Sequence, residues 1–298
     1  MVKNLILCFR HEALVNGSLQ PTFCGMGDII RGFVHCFLLC ESLGIKFHIN
    51  FDDHSLSKFM NPSCFSFEGI VPDEILFVEG SELNTLVHNS TEKNLYLMTN
   101  GDFSLKFIAK DSLSSAFEYI FLSDCNVLNF VKSNFNFSGK TLHARFGDGM
   151  MVDSKFIDDF YLKYSTHPFS PSSWFKILPD SSKYKIVYKG FEGSISSFDF
   201  VSSDHLSFKY FLKNKIDIDF IDSPPCHLGM QNLDQADIFY TLCDFYLIYY
   251  SKIVVSVGSY PFGNRPSGFA FWCHFFNKND CSFYSFDSFR SEIKLLEL

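Results

Sequence analysis

The chain has no dense block of lysine and arginine: 25 basic residues stand against 33 acidic ones, for a formal net charge of −8. A nucleic-acid groove needs a concentrated positive footprint, so no nucleic-acid partner is expected. The 38 phenylalanines and 13 tyrosines do not change this, because they are spread along the chain rather than interleaved with basic residues as a base-stacking platform requires. They read as core. No CxxC pair occurs among the ten cysteines, and most of them sit in apolar runs such as Val34 to Cys40, as buried free thiols of a reducing compartment would. Cys36, Cys40 and the adjoining His35 fall short of the four closed ligands of a structural zinc site. No window approaches about 18 uninterrupted apolar residues, and the opening MVKNLILCFRHE reads as a first strand rather than a signal peptide. The expectation is a soluble, cytoplasmic protein without a transmembrane segment, for which peripheral membrane contact stays open. Internal repeats, heptads and long low-complexity tracts are also lacking.

What is present suits an α/β protein. At 298 residues and 47% hydrophobic content the chain can build one large core or two medium ones. Leu5 to Phe9 reads as a buried strand, followed by a polar loop and then by Cys24-Gly25-Met26-Gly27-Asp28, which opens the apolar helical segment Ile29 to Leu43. Gly44 stops that helix, and Lys46 to Phe51 gives the next strand. Further strands are predicted over Ile75 to Val78, Leu95 to Met98, Leu142 to Phe146, Lys185 to Tyr188, Ile216 to Ile221, Ile253 to Val257 and Cys281 to Phe286. Helices are predicted over Ser114 to Leu122, Lys155 to Tyr164, Ser172 to Leu178, His205 to Lys213, Leu233 to Tyr250 and Ser267 to Phe276. The alternation suggests two Rossmann-like halves, residues 1–138 and 139–298, joined near the Ser/Asn-rich run Lys132 to Lys140. The Ser-rich stretch Ser194 to Ser203 and the segment Ser223 to Gly229 read as surface-shaping loops.

Three segments carry chemistry. In His143-Ala144-Arg145-Phe146-Gly147-Asp148-Gly149, a permanently charged guanidinium follows a strand at a glycine-containing turn, which is a way to grip phosphate oxygens; the bland alternative is a surface Arg–Asp salt bridge. Gly25 and Gly27 set a tight turn before a helix N-terminus, but the dinucleotide fingerprint fails because Ile30 stands where a third glycine is wanted and Gly32 comes two residues later. Asp244 sits on an apolar helix, which is costly unless the carboxylate is partnered. The strand after it runs to Gly258-Ser259-Tyr260-Pro261-Phe262-Gly263, where Ser259 and nearby amides would face a pyrophosphate with Arg265 assisting. Asp153, just beyond the arginine segment, reads either as a solvent carboxylate near a helix start or as a general base.

Together these segments resemble the α1,6-fucosyltransferases, both the core-fucosylating and the Nod-factor branches, within the superfamily that shares an HxRxGD-type motif. Residues 24–39 look like the family's GxGxQL-type loop and helix, residues 143–149 resemble its HxRxxD segment, and Asp244 through Tyr260 resembles its Asp-helix-strand-Gly/Ser element. The chain departs from the pattern at Asp28, at Phe146 in place of a second arginine, and at Lys189-Gly190-Phe191-Glu192. The resemblance implies a GT-B-like architecture, two Rossmann-like domains facing each other across a cleft, with the acceptor on the N-terminal side and the nucleotide sugar on the C-terminal side.

It also implies an inverting, metal-independent transferase that needs no cofactor and moves L-fucose from GDP-fucose to a glycan hydroxyl. Arg145 would bind the β-phosphate, and Asp153 would take the proton of the attacking hydroxyl. His143 and Asp244 would sit by the guanosine, Ser259 and Tyr260 by the diphosphate, with Gly25 and Gly27 approaching it from the other domain and Asp148 completing the donor site. Two rivals stay open. One is a GT-B transferase of another nucleotide sugar, since Gly-Asp-Ile-Ile is also similar to the heptosyltransferases; the other is a nucleotide- or glycan-binding protein without catalysis.

Overall fold

The structure is a computed structural model that describes residues 2–21, 25–51, 54–60, 67, 69–101, 125–135, 139–145, 185–188, 191–194, 198–204, 206–214, 218–223, 225–226, 228, 233–259, 267–277, 280–287 and 292–295. It is mixed α/β, with two principal sheets and six helices among the described residues. The chain divides into two compact units: Met1–Leu128 with Cys226–Phe239, and Asn129–Pro225 with Tyr240–Leu298. Predicted helices Ser114 to Leu122, Lys155 to Tyr164 and Ser172 to Leu178 lie outside the described residues. Among the described residues no helix is long and apolar enough to cross a membrane.

The first unit holds strands β1 (Asn4–Cys8), β2 (Glu12–Val15), β3 (Ser18–Pro21), β4 (Lys46–Asn50), β5 (Leu76–Phe77) and β6 (Asn94–Met98), with helices α1 (Met26–Leu43) and α2 (Gly80–Asn89). Their order in the sheet is β3-β2-β5-β6-β1-β4, all parallel except the β2–β3 hairpin. β1 is fully buried from Leu5 to Cys8 because it lies between two parallel neighbours. An uninterrupted apolar run suits that position.

The polar stretch after β1, expected to be a loop, is a hairpin. Asn16 and Gly17 both have positive φ, 52° and 78°, the twist that a two-residue turn needs to join right-twisted strands. Helix α1 buries a stripe of Met26, Ile29, Ile30, Phe33, Val34, Cys36 and Cys40, and each large side chain so removed from water contributes about 1.5–3 kcal/mol. Gly32 lies within that stripe, where an added Cβ would stand 2.2 Å from the Thr99 carbonyl oxygen. The glycine that fails the dinucleotide spacing therefore serves close helix-to-strand packing.

The second unit holds helix α3 (Cys125–Asn134, from Asn129 on), β7 (Lys140–Arg145), the antiparallel pair β8 (Lys185–Tyr188) and β9 (Phe191–Ser194), β10 (Phe200–Ser203), α4 (Leu206–Lys213), α5 (Gln235–Tyr250, from Tyr240 on), β11 (Ile253–Ser259), α6 (Gly268–Asn277), β12 (Asp280–Asp287) and β13 (Glu292–Leu295). The sheet order is β10-β7-β11-β12-β13, parallel except for the edge strand β13. Lys132 and Ser133, read from sequence as the start of a join, lie in α3. Of the expected strand Ile216 to Ile221, the described residues 218–221 contribute a bridge from Asp219 to Phe200.

The Ser-rich stretch read as a surface loop ends in β10, whose four residues are all buried. Ser202 lies opposite His143 in the register, and the ladder satisfies its backbone. Helix α5 has no polar stripe over residues 241–249, all of which are buried. A helix apolar on every side must lie in a core.

Candidate functional site

Counted within their own sheet, the strands of the second unit run 2-1-3-4-5. Connections from the first strand leave to one side and those after the third to the other, so the carboxyl ends of β7 and β11 flank a topological switch point, where open α/β sheets bind ligands. Arg145 is the last residue of β7 and lies in register with Gly258 of β11. The arginine singled out by sequence thus stands at the edge that the topology favours.

Strand alternation puts Thr141, His143 and Arg145 on one face. Contacts identify that face: the Thr141 and Ser251 hydroxyls are 2.5 Å apart, His143 Nε2 lies 3.0 Å from Ser267 Oγ, and the imidazole stacks on Phe269 with ring centroids 5.9 Å apart. His143 is buried, and its pKa is lowered to about 3, by burial first and then by the charges of Arg145 and Lys209. It is neutral at pH 7. Its Nδ1 is buried without a hydrogen-bond partner.

Asp244 is also fully buried, and its partner is one that sequence reasoning did not name. Lys209 Nζ donates to Asp244 Oδ2 at 2.9 Å, to the Ser223 carbonyl at 2.7 Å and to the Ile221 carbonyl at 3.1 Å. Both side chains of the pair are 0% exposed. All three ammonium protons are used. Burial raises the Asp244 pKa to about 6 against the opposing pull of Lys209 and the nearby Ser202 hydroxyl. Ser202 is close enough to favour the charged carboxylate, but its Oγ and Asp244 Oδ1 both lack an aligned hydrogen bond.

The signal for Lys209 was available in the sequence. A carboxylate on an all-apolar helix demands a cation, and Lys209 interrupts the apolar face of α4 between Phe208 and Tyr210. The structure thus gathers His143, Ser202, Lys209, Asp244 and Ser267 into a buried polar layer on the face from which Arg145 leaves β7. Ser259 ends β11 beside this edge. Asp148, Asp153, Tyr260 and Arg265 lie outside the described residues.

Gly25 and Gly27 belong to the first unit. Gly25 is the N-cap of α1, and Gly27 is the second residue of the helix. Asp28 reaches back to accept the Gly25 N–H at 3.1 Å and takes Arg31 Nη2 at 2.5 Å, while Arg31 Nε donates to the Asn100 carbonyl at 2.6 Å. This helix N-terminus carries its own carboxylate, which satisfies the dipole that an incoming phosphate would otherwise meet. Among the described residues no group of three His, Cys, Asp or Glu side chains is arranged to hold a metal ion. The chain matches no protein-family model and no curated protein.

Proposed function

We propose that the chain is an inverting, metal-independent glycosyltransferase of GT-B-like organisation that moves L-fucose from GDP-fucose to a hydroxyl of a glycan acceptor in the cytoplasm. The carrying observation is the position of Arg145 at the β7/β11 switch point, beside a buried polar layer in which Lys209 and Asp244 neutralise one another and His143 is uncharged. Arg145 brings a permanent positive charge to that edge, of the kind that grips phosphate oxygens. On this reading it grips the β-phosphate and stabilises the departing GDP, Asp153 deprotonates the acceptor hydroxyl, and that oxygen forms a bond to the sugar's anomeric carbon as the bond to GDP breaks. Ser259 and Tyr260 support the diphosphate from the β11 side, with Asp148 beside them. His143 and Asp244 hold the layer beneath the guanosine.

A second reading has an observation of its own. Direct guanine recognition by Asp244 would require opening a fully buried ion pair, which favours a donor read through its diphosphate and leaves another nucleotide sugar, or nucleotide binding without transfer, as the alternative. Calorimetric titration of GDP, UDP and ADP in EDTA into wild type and Arg145→Ala, together with GDP release from GDP-fucose, separates these. Metal-free GDP binding lost in the variant, with GDP-fucose consumed, supports the fucosyltransferase. Preference for UDP or ADP selects the second reading, and absence of any nucleotide binding removes both.

A further inference from the structure

Lys209 does more than neutralise Asp244, because two of its three hydrogen bonds go to backbone. The acceptors, the carbonyls of Ile221 and Ser223 at 3.1 and 2.7 Å, belong to one tight turn, in which the Ser223 N–H also donates to the Ile221 carbonyl at 2.8 Å. That turn lies beside the sheet. Asp219 forms a parallel bridge with Phe200 of β10: its N–H donates to the Asp199 carbonyl at 3.0 Å, and its carbonyl accepts the Val201 N–H at 2.9 Å. Two residues further along both segments, Ile221 comes level with Ser202 and so with the register partner of that serine, His143. There the ammonium from α4 takes the carbonyls of the turn.

The path of the chain gives this clamp a particular place. The chain leaves the second unit after Pro225, just past Ser223, and returns at Tyr240, one helical turn before Asp244. One ammonium therefore holds both the departing and the returning segment. It does so on the face of the sheet that carries His143 and Arg145. Asp244 lies near enough to Ser202 for that hydroxyl to favour its charged form, and the charges of Lys209 and Arg145 both reach the His143 ring. Lys209 is 0% exposed and its three protons are engaged, so any effect it has on a ligand passes through the groups it holds.

We infer that Lys209 is a positioning residue for the diphosphate site at Arg145, fixing α5 and the 221–223 turn in the arrangement that sets the carboxyl edge of β10 and β7. This rests on the nucleotide reading above. A guanidinium grips phosphate through parallel N–H···O bonds, which fail when its strand end moves by a fraction of an ångström. On one side of Arg145 the register partner is Gly258, which has no side chain to brace it. On the other side stands β10, which the Asp219 bridge and the clamp steady. An ammonium with three set acceptors has one arrangement, whereas an apolar pair of the same volume restores packing without fixing where the turn lies. A control comes from the next residue. The Tyr210 hydroxyl donates to Asp222 Oδ1 at 2.6 Å and its ring packs on Phe220 at 5.1 Å, so it holds the same stretch from the solvent side.

The test is calorimetric titration of GDP and of inorganic pyrophosphate, in EDTA, into the full-length wild type, the double variant Lys209→Met/Asp244→Leu, and Tyr210→Phe. Stoichiometry reads the binding-competent fraction and Kd the affinity, so a merely structural role lowers the first and a positioning role weakens the second. In the double variant, wild-type stoichiometry is expected with Kd raised about tenfold for both ligands, while Tyr210→Phe stays within about twofold of wild type. Wild-type affinity in the double variant, or a lower stoichiometry at unchanged Kd, would overturn the assignment, because the pair then only packs. A GDP response without a pyrophosphate response, or a loss confined to GDP, would also overturn it, since recognition then lies with the base. An equal loss in Tyr210→Phe would do the same by moving the effect from the ammonium to the stretch as a whole. Should the double variant fail to fold, Lys209→Gln takes its place with the same expected and overturning results. If wild type binds neither ligand, the nucleotide reading falls and this one with it; wild-type binding with unchanged variants removes this one alone.

Discussion

The two units place buried histidines at the same edge of the same kind of sheet and surround them in opposite ways. In the first, His54 stacks on His11, and Asp28 pairs with Arg31 at the start of α1. In the second, His143 lies over a buried Lys209–Asp244 pair, and Arg145 stands above it at the end of β7. A parallel strand that ends at an open edge offers a location and no chemistry. The chemistry is set one layer below, by which charges the packing helices bring and whether they close on each other. On the reading proposed above, the edge at Arg145 takes a diphosphate.

The comparison is most exposed to Lys209→Met. The substitution keeps the length of the side chain and leaves Asp244 buried without its cation, which is expected to cost about 3–5 kcal/mol. Adding Asp244→Leu should recover most of that loss, because a buried pair replaced as a pair by apolar groups is close to neutral. Chemical denaturation of both single variants and the double variant measures it. A single-variant loss under about 1 kcal/mol would mean that water reaches Asp244, and the contrast between a sealed and an open charge layer would fall.

Arg145→Ala tests the other half of the contrast. Removal of one charge-assisted contact to a developing oxyanion costs roughly 10²–10³ in rate, so transfer from GDP-fucose should be nearly silenced while stability, read by thermal unfolding, stays close to wild type. Asp153→Asn should lower turnover by about 10²–10⁴ and leave GDP affinity largely intact. Near-normal turnover in either variant takes that residue out of its role. If both lose binding as well as turnover, the polar layer under Arg145 acts as a structural support for the whole edge.

Gly32→Ala probes the first unit at a point with no titratable group. The new Cβ would meet the Thr99 carbonyl oxygen at 2.2 Å, and backbone must shift to admit it, at about 1–3 kcal/mol. Denaturation should show the loss, with GDP binding to the folded protein retained. A loss of GDP affinity in folded Gly32→Ala would tie the first unit to the nucleotide and blur the division of labour.

Much of this architecture was legible because parallel sheets bury their strands as continuous apolar runs. β1, α1, β4, β7, β11, α6 and β12 fall within a few residues of the ranges read from sequence. The failures share a physical cause, which is that the deciding partner is distant in the chain. β10 reads as loop because two of its four residues are serines, and only the register opposite His143 makes Ser202 a sheet residue. Lys209 reads as an ordinary helix lysine until Asp244, 35 positions on, is seen to need it. The β2–β3 hairpin is different: Asn16-Gly17 is a local turn signal, but the strands it joins are too short and polar to read as strands. His54 carried no motif at all, since its stack on His11 joins two loops that sequence leaves unrelated.

The smallest expected effect is on acid stability, where the units should part company. In the first unit the folded chain holds His54 near pKa 4 while the unfolded chain titrates near 6.5. Between those values the unfolded state binds more protons, so this contribution is fully present above about pH 6.5 and is lost as pH falls toward 4. His143, near 3, acts in the same direction in the second unit. There Asp244 opposes it: with a folded pKa near 6 against 3.8 unfolded, the folded state binds the extra proton over that window and gains stability as pH falls through it. The two largely offset each other between about pH 6 and 4, whereas among the described residues of the first unit no buried carboxylate opposes His54. Peptide-resolved hydrogen exchange from pH 6.5 to 4.5, corrected for the intrinsic rate, should therefore show β1 and β4 losing protection before β7 and β11, and His54→Gln should remove the difference. If β7 and β11 open first, Asp244 stays ionised in the folded chain, held by Lys209, and the second unit is the acid-labile one.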